Sequence, residues 1–206
     1  MRFRRFYMFW DTVSPVYDFF EVIYNSRVYR NTGKAVANYI SASDIVLECA
    51  CGTGAISQYI APKCKMLIAT DMSTGMLKQA AQKCAKFANA KFRYADLMHL
   101  KCRDCRFDKV VAGNVIHLLD EPELAVKELL RVCKPGGKLI IPTYINDEGT
   151  QQRKAVMLLE KLGVQFKREF DFESYQQFFR DIGFPDAAFH VVEGRMPCAI
   201  AVITKE

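Results

Sequence analysis

Residues 46–57 read VLECACGTGAIS. The stretch opens as an apolar strand and closes on a helical spacing continued by Ile56, Tyr59 and Ile60; between the two, the chain turns through Gly52 and Gly54. Glycines one residue apart directly after a strand mark a sharp turn, where a ligand reaches the backbone without meeting a Cβ. The natural occupant of such a turn is a nucleotide-like cofactor. The third small residue of the dinucleotide fingerprint falls on Ser57, so the match to that pattern is incomplete, and a plain tight turn is the competing reading. Glu48 sits inside the apolar run, and a buried acid is costly unless something partners it.

Outward from this unit, short β-branched runs alternate with helical patterns. Strands are predicted at 45–49, 66–70, 91–94, 109–112, 138–143, 189–192 and 199–204. The alternation over the first five predicts a parallel sheet with helices on both faces. Residues 120–133 carry an acidic first turn, Pro122 and apolar positions Leu124, Leu129, Leu130 and Val132; Lys134-Pro-Gly-Gly then reads as a stop. At the end, AFHVVEGRMPCAIAVITKE places two strand-like runs around a Gly-Arg-Met-Pro turn with no room for a helix, which predicts an antiparallel pair.

At 206 residues, with 50% hydrophobic and 25% charged side chains, the chain fits a single globular domain. No repeat or low-complexity linker divides it. Within 1–206 the expected organisation is an N-terminal helical cap over 1–40, a cofactor-binding core over 41–145, and C-terminal helices with a strand pair over 146–206. No window approaches the roughly 18 apolar residues of a membrane span, and the start MRFRRFYMFWD lacks a secretory leader, so a cytoplasmic chain is expected. The 8 cysteines are scattered and read as reduced thiols; Cys102 and Cys105 lack the second pair that a structural zinc needs, so no metal is expected. The net charge of +6 is spread along the chain, except at the start, where Arg2, Arg4 and Arg5 interleave with aromatics. That mix suits either a helix at a membrane interface or one folded over the domain's own pocket.

Two further acids follow strands. Asp71 ends the run MLIATD at the crevice where open α/β sheets bind ligands; its two oxygens can accept both hydroxyls of a ribose, while Ser73 is the better cap for the following helix, expected over 76–86. Asp96 stands after the next strand, where a carboxylate can accept from the exocyclic amine of adenine.

Taken in order, Glu-x-Ala-Cys-Gly-Thr-Gly after a strand, Asp71, Ala95-Asp96-Leu97, FDKVVAGNVIHLL and VKELLRVCKPGGKLII resemble the class I S-adenosylmethionine-dependent methyltransferases over about residues 40 to 145. Within that family the chain is similar to the small-molecule, quinone-biosynthesis-like, type 11 group. The resemblance implies a Rossmann-like doubly wound, mostly parallel seven-stranded α/β sheet with an antiparallel last strand and an N-terminal helical lid. It also implies that Ala50, Cys51, Gly52 and Gly54 border the methionine and ribose of S-adenosyl-L-methionine, and that Asp71 holds the ribose hydroxyls. By the same resemblance Met72 packs on adenine, Asp96 and the Leu97 backbone read its edge, Asn114 lies near the methionine portion, and Glu48 lies near the cofactor's amino-acid end. Ala50 departs from the glycine that many members carry; a small residue still fits.

For the acceptor, VSPVYDFFEVIYN is similar to the N-terminal region of quinone-type and other small-molecule methyltransferases, which makes Tyr17 a candidate catalytic residue; His117, which follows the fourth strand where it can face the transferred methyl, is the other. The aromatics before residue 30 read either as a lid over a small apolar or aromatic acceptor or as ordinary core packing. Partners are expected to be a small-molecule substrate, not nucleic acid, with peripheral membrane contact through the N-terminus left open. An NAD(P)-dependent oxidoreductase shares the first glycine loop and Asp71 but leaves Asp96 and the terminal strand pair unexplained; a non-catalytic cofactor-binding module is the third reading.

Overall fold

A computed structural model describes residues 25–146 and 167–206. Residues 1–24 of the lid expected over 1–30, with Tyr17 among them, lie outside the described residues; a helix over 25–37, α1, carries the rest. The strands are β1 Ile45–Cys49, β2 Met66–Asp71, β3 Ala90–Tyr94, β4 Phe107–Ala112, β5 Cys133–Tyr144, β6 Ala188–Val192 and β7 Cys198–Thr204. Helices Ser57–Ile60 (α2), Thr74–Lys83 (α3), Pro122–Val132 (α4) and Phe172–Asp181 (α5) lie between them.

All seven strands belong to one sheet in the order β3-β2-β1-β4-β5-β7-β6. The first five run parallel, and β7 runs antiparallel to both of its neighbours, as the terminal run predicted. From β1 the chain steps outward through β2 to β3, then returns to the other side of β1 for β4 and β5. Right-handed crossovers in opposite directions place their helices on opposite faces. Accordingly α4 and α5 pack with Leu47, Val110, Leu139 and Ala201 on one face, while α1, α2 and α3 pack with Val46, Leu67, Val111 and Ile140 on the other. The reversal of strand order between β1 and β4 opens a crevice at their carboxyl ends.

Local chemistry sets the helix ends. Ser73 accepts from the Met76 amide at 3.1 Å and caps α3, as expected. Pro122 occupies the first turn of α4, where its missing N–H costs nothing. Asp171 and Ser174 form a reciprocal capping box at the start of α5.

Two expectations differ. The helix expected over 76–86 begins at Thr74, after the Ser73 cap, and ends at Lys83. Lys134–Gly137, read as a stop before the strand, lies within the span of β5: Cys133 pairs with Phe107 and pairing resumes at Lys138 with Lys109. The four residues bulge out of the ladder, with Gly136 at φ +74, because Cys133 is already held against β4.

On the β5–β7 side, Tyr175, Phe178, Phe179, Phe170 and Phe189 form a cluster of edge-on and tilted rings 5.1–6.0 Å apart. The Tyr175 hydroxyl donates to the Ile141 carbonyl at 2.6 Å. Phe179 is fully buried in this cluster, so Phe179→Ala should lower unfolding free energy by about 3–5 kcal/mol, measured by urea denaturation.

Candidate functional site

The loop after β1 takes the left-handed conformation at Ala50 (φ 51), Gly52 (φ 53) and Gly54 (φ 82). For alanine this costs about 1–2 kcal/mol, which gives the physical reason that a glycine suits position 50. A Cβ on Gly54 would stand 3.0 Å from the Ala80 Cα, so this glycine lets α3 pack directly on the loop; a Cβ on Gly52 would meet nothing within 4 Å. The loop is therefore closed toward α3 and open over Gly52.

Its amides are already engaged. Cys51 N donates to Thr70 O at 2.9 Å, Gly52 N to Asp71 Oδ2 at 2.8 Å and Gly54 N to Cys51 O at 2.9 Å. The other oxygen of Asp71 accepts from Ser73 N at 2.8 Å. Asp71 thus ties the glycine loop to the start of α3 and stands at the carboxyl edge of β2, with Met72 half-buried after it.

Glu48 is buried beneath this loop and accepts from the Ser57 hydroxyl at 2.6 Å. The sequence did not mark Ser57 as its partner. Burial pushes the Glu48 carboxyl up to about 8; the Ser57 hydroxyl opposes that rise and the Asp71 charge adds to it. Cys51 and Cys49 are buried thiols raised by the same desolvation.

Asn114, two residues past β4, also lies in the left-handed region (φ 52), which its short amide tolerates. Its N–H donates to Pro142 O at 2.7 Å and its Oδ1 accepts from Tyr144 N at 3.0 Å, clamping the ends of β4 and β5. Asp96, two residues past β3, accepts from Met98 N at 2.8 Å, and Leu97 beside it is buried. Their loop is fixed to α4 through residues that sequence reasoning missed: Glu128 accepts from Leu100 N at 2.7 Å, and Arg131 donates to Leu100 O and Cys102 O. Adjacent registers, Cys49 with Thr70 and Ala112, and Asp71 with Tyr94, bring the ends of β1, β2, β3 and β4 to one edge. Glu48, the glycine loop, Asp71, Asp96 and Asn114 share that edge.

His117 lies farther along, in a 3-10 turn over Ile116–Leu118, and is buried. Desolvation pushes its imidazole down to about 4, so it is neutral at pH 7 and weakly basic.

A methyltransferase-domain family model matches residues 47–141, the stretch that carries this edge. That stretch is matched as a methyltransferase domain. A demethylmenaquinone methyltransferase of Clavibacter sepedonicus is 34% identical over 135 residues, covering 64% of this chain and 54% of that protein. Phosphoethanolamine N-methyltransferase 1 of Triticum aestivum is 25% identical over 170 residues, 81% of this chain and 33% of its own length. The chain spans about half the length of the first of these relatives. Among solved structures, a Thermotoga maritima SAM-dependent methyltransferase, described as a possible histamine N-methyltransferase, superposes with a TM-score of 0.75 at 20% identity, over 97% of this chain and all of that one. The DhpI–SAH complex gives 0.72 at 18% identity, over 97% and 95% of the two chains. At those identities the likeness is one of fold.

The buried carboxyl of Glu48 makes a stability prediction. With a folded pKa near 8 against 4.5 unfolded, the native state binds the extra proton between those values, so Glu48 lowers stability as pH rises through that window and adds no further change above it. The slope from this group approaches about 1.4 kcal/mol per pH unit. Glu48→Gln should flatten the difference in unfolding free energy between pH 5 and pH 8, read from denaturant melts at both; a slope identical to the parent's would locate the titration elsewhere.

Proposed function

We propose that this chain binds S-adenosylmethionine over the β1 loop and transfers its methyl group to a small, apolar or aromatic acceptor. One observation carries the choice of donor. A pyrophosphate-binding glycine loop aims its amides at the ligand. Here the Cys51, Gly52 and Gly54 amides are spent on Thr70, Asp71 and Cys51 carbonyl or carboxylate oxygens. That arrangement disfavours NAD(P) and suits a donor without phosphate. The residues fit that donor: Asp71 for ribose hydroxyls, the open side of Gly52 for close approach, Met72, Asp96 and Leu97 for adenine, and Asn114 and Glu48 toward the amino-acid end.

When bound, the donor supplies an activated methyl on a sulfonium, so the protein's contribution is mainly alignment, worth up to about 7–11 kcal/mol. His117 lies after Asn114 and serves this reading as a neutral hydrogen-bonding group facing the acceptor; at a pKa near 4 it is a poor base at pH 7. We therefore favour an acceptor that loses its proton readily, such as a phenol or an enolisable carbon. The demethylmenaquinone methyltransferase relative supports an apolar aromatic acceptor. The aromatic segment before residue 25, with Tyr17, is assigned to covering it, with a membrane surface as the alternative source of the acceptor and nucleic acid excluded from this reading. Among the described residues no helix is long and apolar enough to cross a membrane.

A thermal-shift comparison tests the donor. At 100 times the dissociation constant a ligand adds about 2.7 kcal/mol of stability, so S-adenosylmethionine and S-adenosylhomocysteine should raise the melting temperature while NAD and NADP leave it unchanged. A shift with NAD alone overturns the assignment. Asp71→Ala should weaken donor binding about a hundredfold, since the charged hydrogen bonds lost are worth roughly 1.5–3 kcal/mol each. Unchanged affinity in the folded variant removes Asp71 from the site.

A further inference from the structure

Three residues far apart in sequence meet around one ammonium group. Lys83, the last residue of α3, donates from Nζ to the Tyr29 hydroxyl on α1 at 3.0 Å and to Thr53 Oγ1 in the glycine loop at 3.4 Å. Its charge also lies 5.7 Å from the centroid of the Tyr29 ring. Tyr29 and Thr53 are both buried.

Helix α1 is closely seated on both sides of this group. A Cβ on Gly33 would stand 2.2 Å from the Tyr59 ring, and a Cβ on Gly194 2.2 Å from Val28, so α1 is wedged between the region after the glycine loop and the β6–β7 turn. Asn25 Nδ2 donates to Met196 O at 2.9 Å and fixes its start to the same turn. A lysine in the last turn of a helix gains from the helix dipole wherever its side chain points. The dipole does not explain why this flexible stem ends on two buried hydroxyls, one on each of two other elements. Thr53 stands between Gly52 and Gly54, both in the left-handed conformation. Neither Tyr29 nor Lys83 belongs to the residues assigned above to donor contact.

We propose that Lys83 is a positioning residue for the methyl donor: it holds Thr53, and with it the Gly52–Gly54 turn, in fixed relation to α1. Donor affinity then depends on how α1 is seated. This rests on the reading that the glycine loop binds S-adenosylmethionine.

Calorimetric titration of the full chain with S-adenosylhomocysteine separates the two claims. No binding by the parent overturns the donor reading itself. Given parent binding, Lys83→Met should weaken affinity about tenfold, the scale of one charged hydrogen bond, while Lys83→Arg stays within about threefold of the parent. Tyr29→Phe and Thr53→Val should each weaken it severalfold, and adding Tyr29→Phe to Lys83→Met should cost almost nothing more, because both remove the same link. A brace with no part in donor binding lowers the melting temperature of the unliganded protein and leaves affinity untouched, so Lys83→Met binding within about twofold of the parent overturns the proposal. Should Lys83→Met fail to fold, unchanged affinity in both Tyr29→Phe and Thr53→Val overturns it equally.

Discussion

The carboxylate of Asp71 takes one main-chain N–H on each oxygen, from Gly52 in the loop after β1 and from Ser73 at the start of α3. Two turns that are separate in sequence are thereby fastened to the end of one strand. The loop could not otherwise hold three left-handed residues in a fixed shape, since nothing about glycine itself selects one conformation. Because Asp71 sits in the ladder beside Tyr94, and Cys49 sits beside Thr70 and Ala112, the same carboxylate also sets the loop against the ends of β3 and β4. The edge on which donor chemistry is proposed is thus built from strand register first and side-chain identity second.

Beneath the loop, Glu48 is kept in a dry site with a hydroxyl partner and a neighbouring negative charge. Such a group is held largely protonated near neutrality, and a protonated acid with a hydrogen bond is far less costly to bury than a carboxylate. Its burial follows from β1 being central, covered by α2 on one face and by the α4 side of the core on the other. The price of a central strand with a polar residue is met locally, by Ser57, the first residue of α2.

Function in this fold is spread over both halves of the sheet. The parallel half supplies the glycine loop, Asp71 and Asp96, whereas the antiparallel β6–β7 turn supports α1, which reaches back to the loop through Tyr29 and Lys83. The Glu128 and Arg131 side chains do the same for the loop carrying Asp96, holding it to α4 rather than to its own strand. The loops at this edge are therefore tied to helices on each face.

Short-range physics was legible in the residues alone. The strand runs, the Ser73 cap, the turn at Gly52 and Gly54 and the reversed final strand all follow from burial periodicity and backbone preference within a few residues, and the linked order of motifs over about residues 40 to 145 carried the family resemblance. The partners of the polar groups were not legible: Ser57 for Glu48, Gly52 for Asp71, Tyr144 for Asn114, and Tyr29 for Lys83 lie 9, 19, 30 and 54 residues away. The His117 imidazole could be read as a base by residue type, and only its burial set it near 4. Lys134–Gly137 carried every local mark of a stop, and only the pairing of Cys133 with Phe107 drew them into the span of β5. Sequence periodicity records which faces are buried; which polar atoms meet there is decided by strand order, crossover hand and register, and these exist only once the chain has closed on itself.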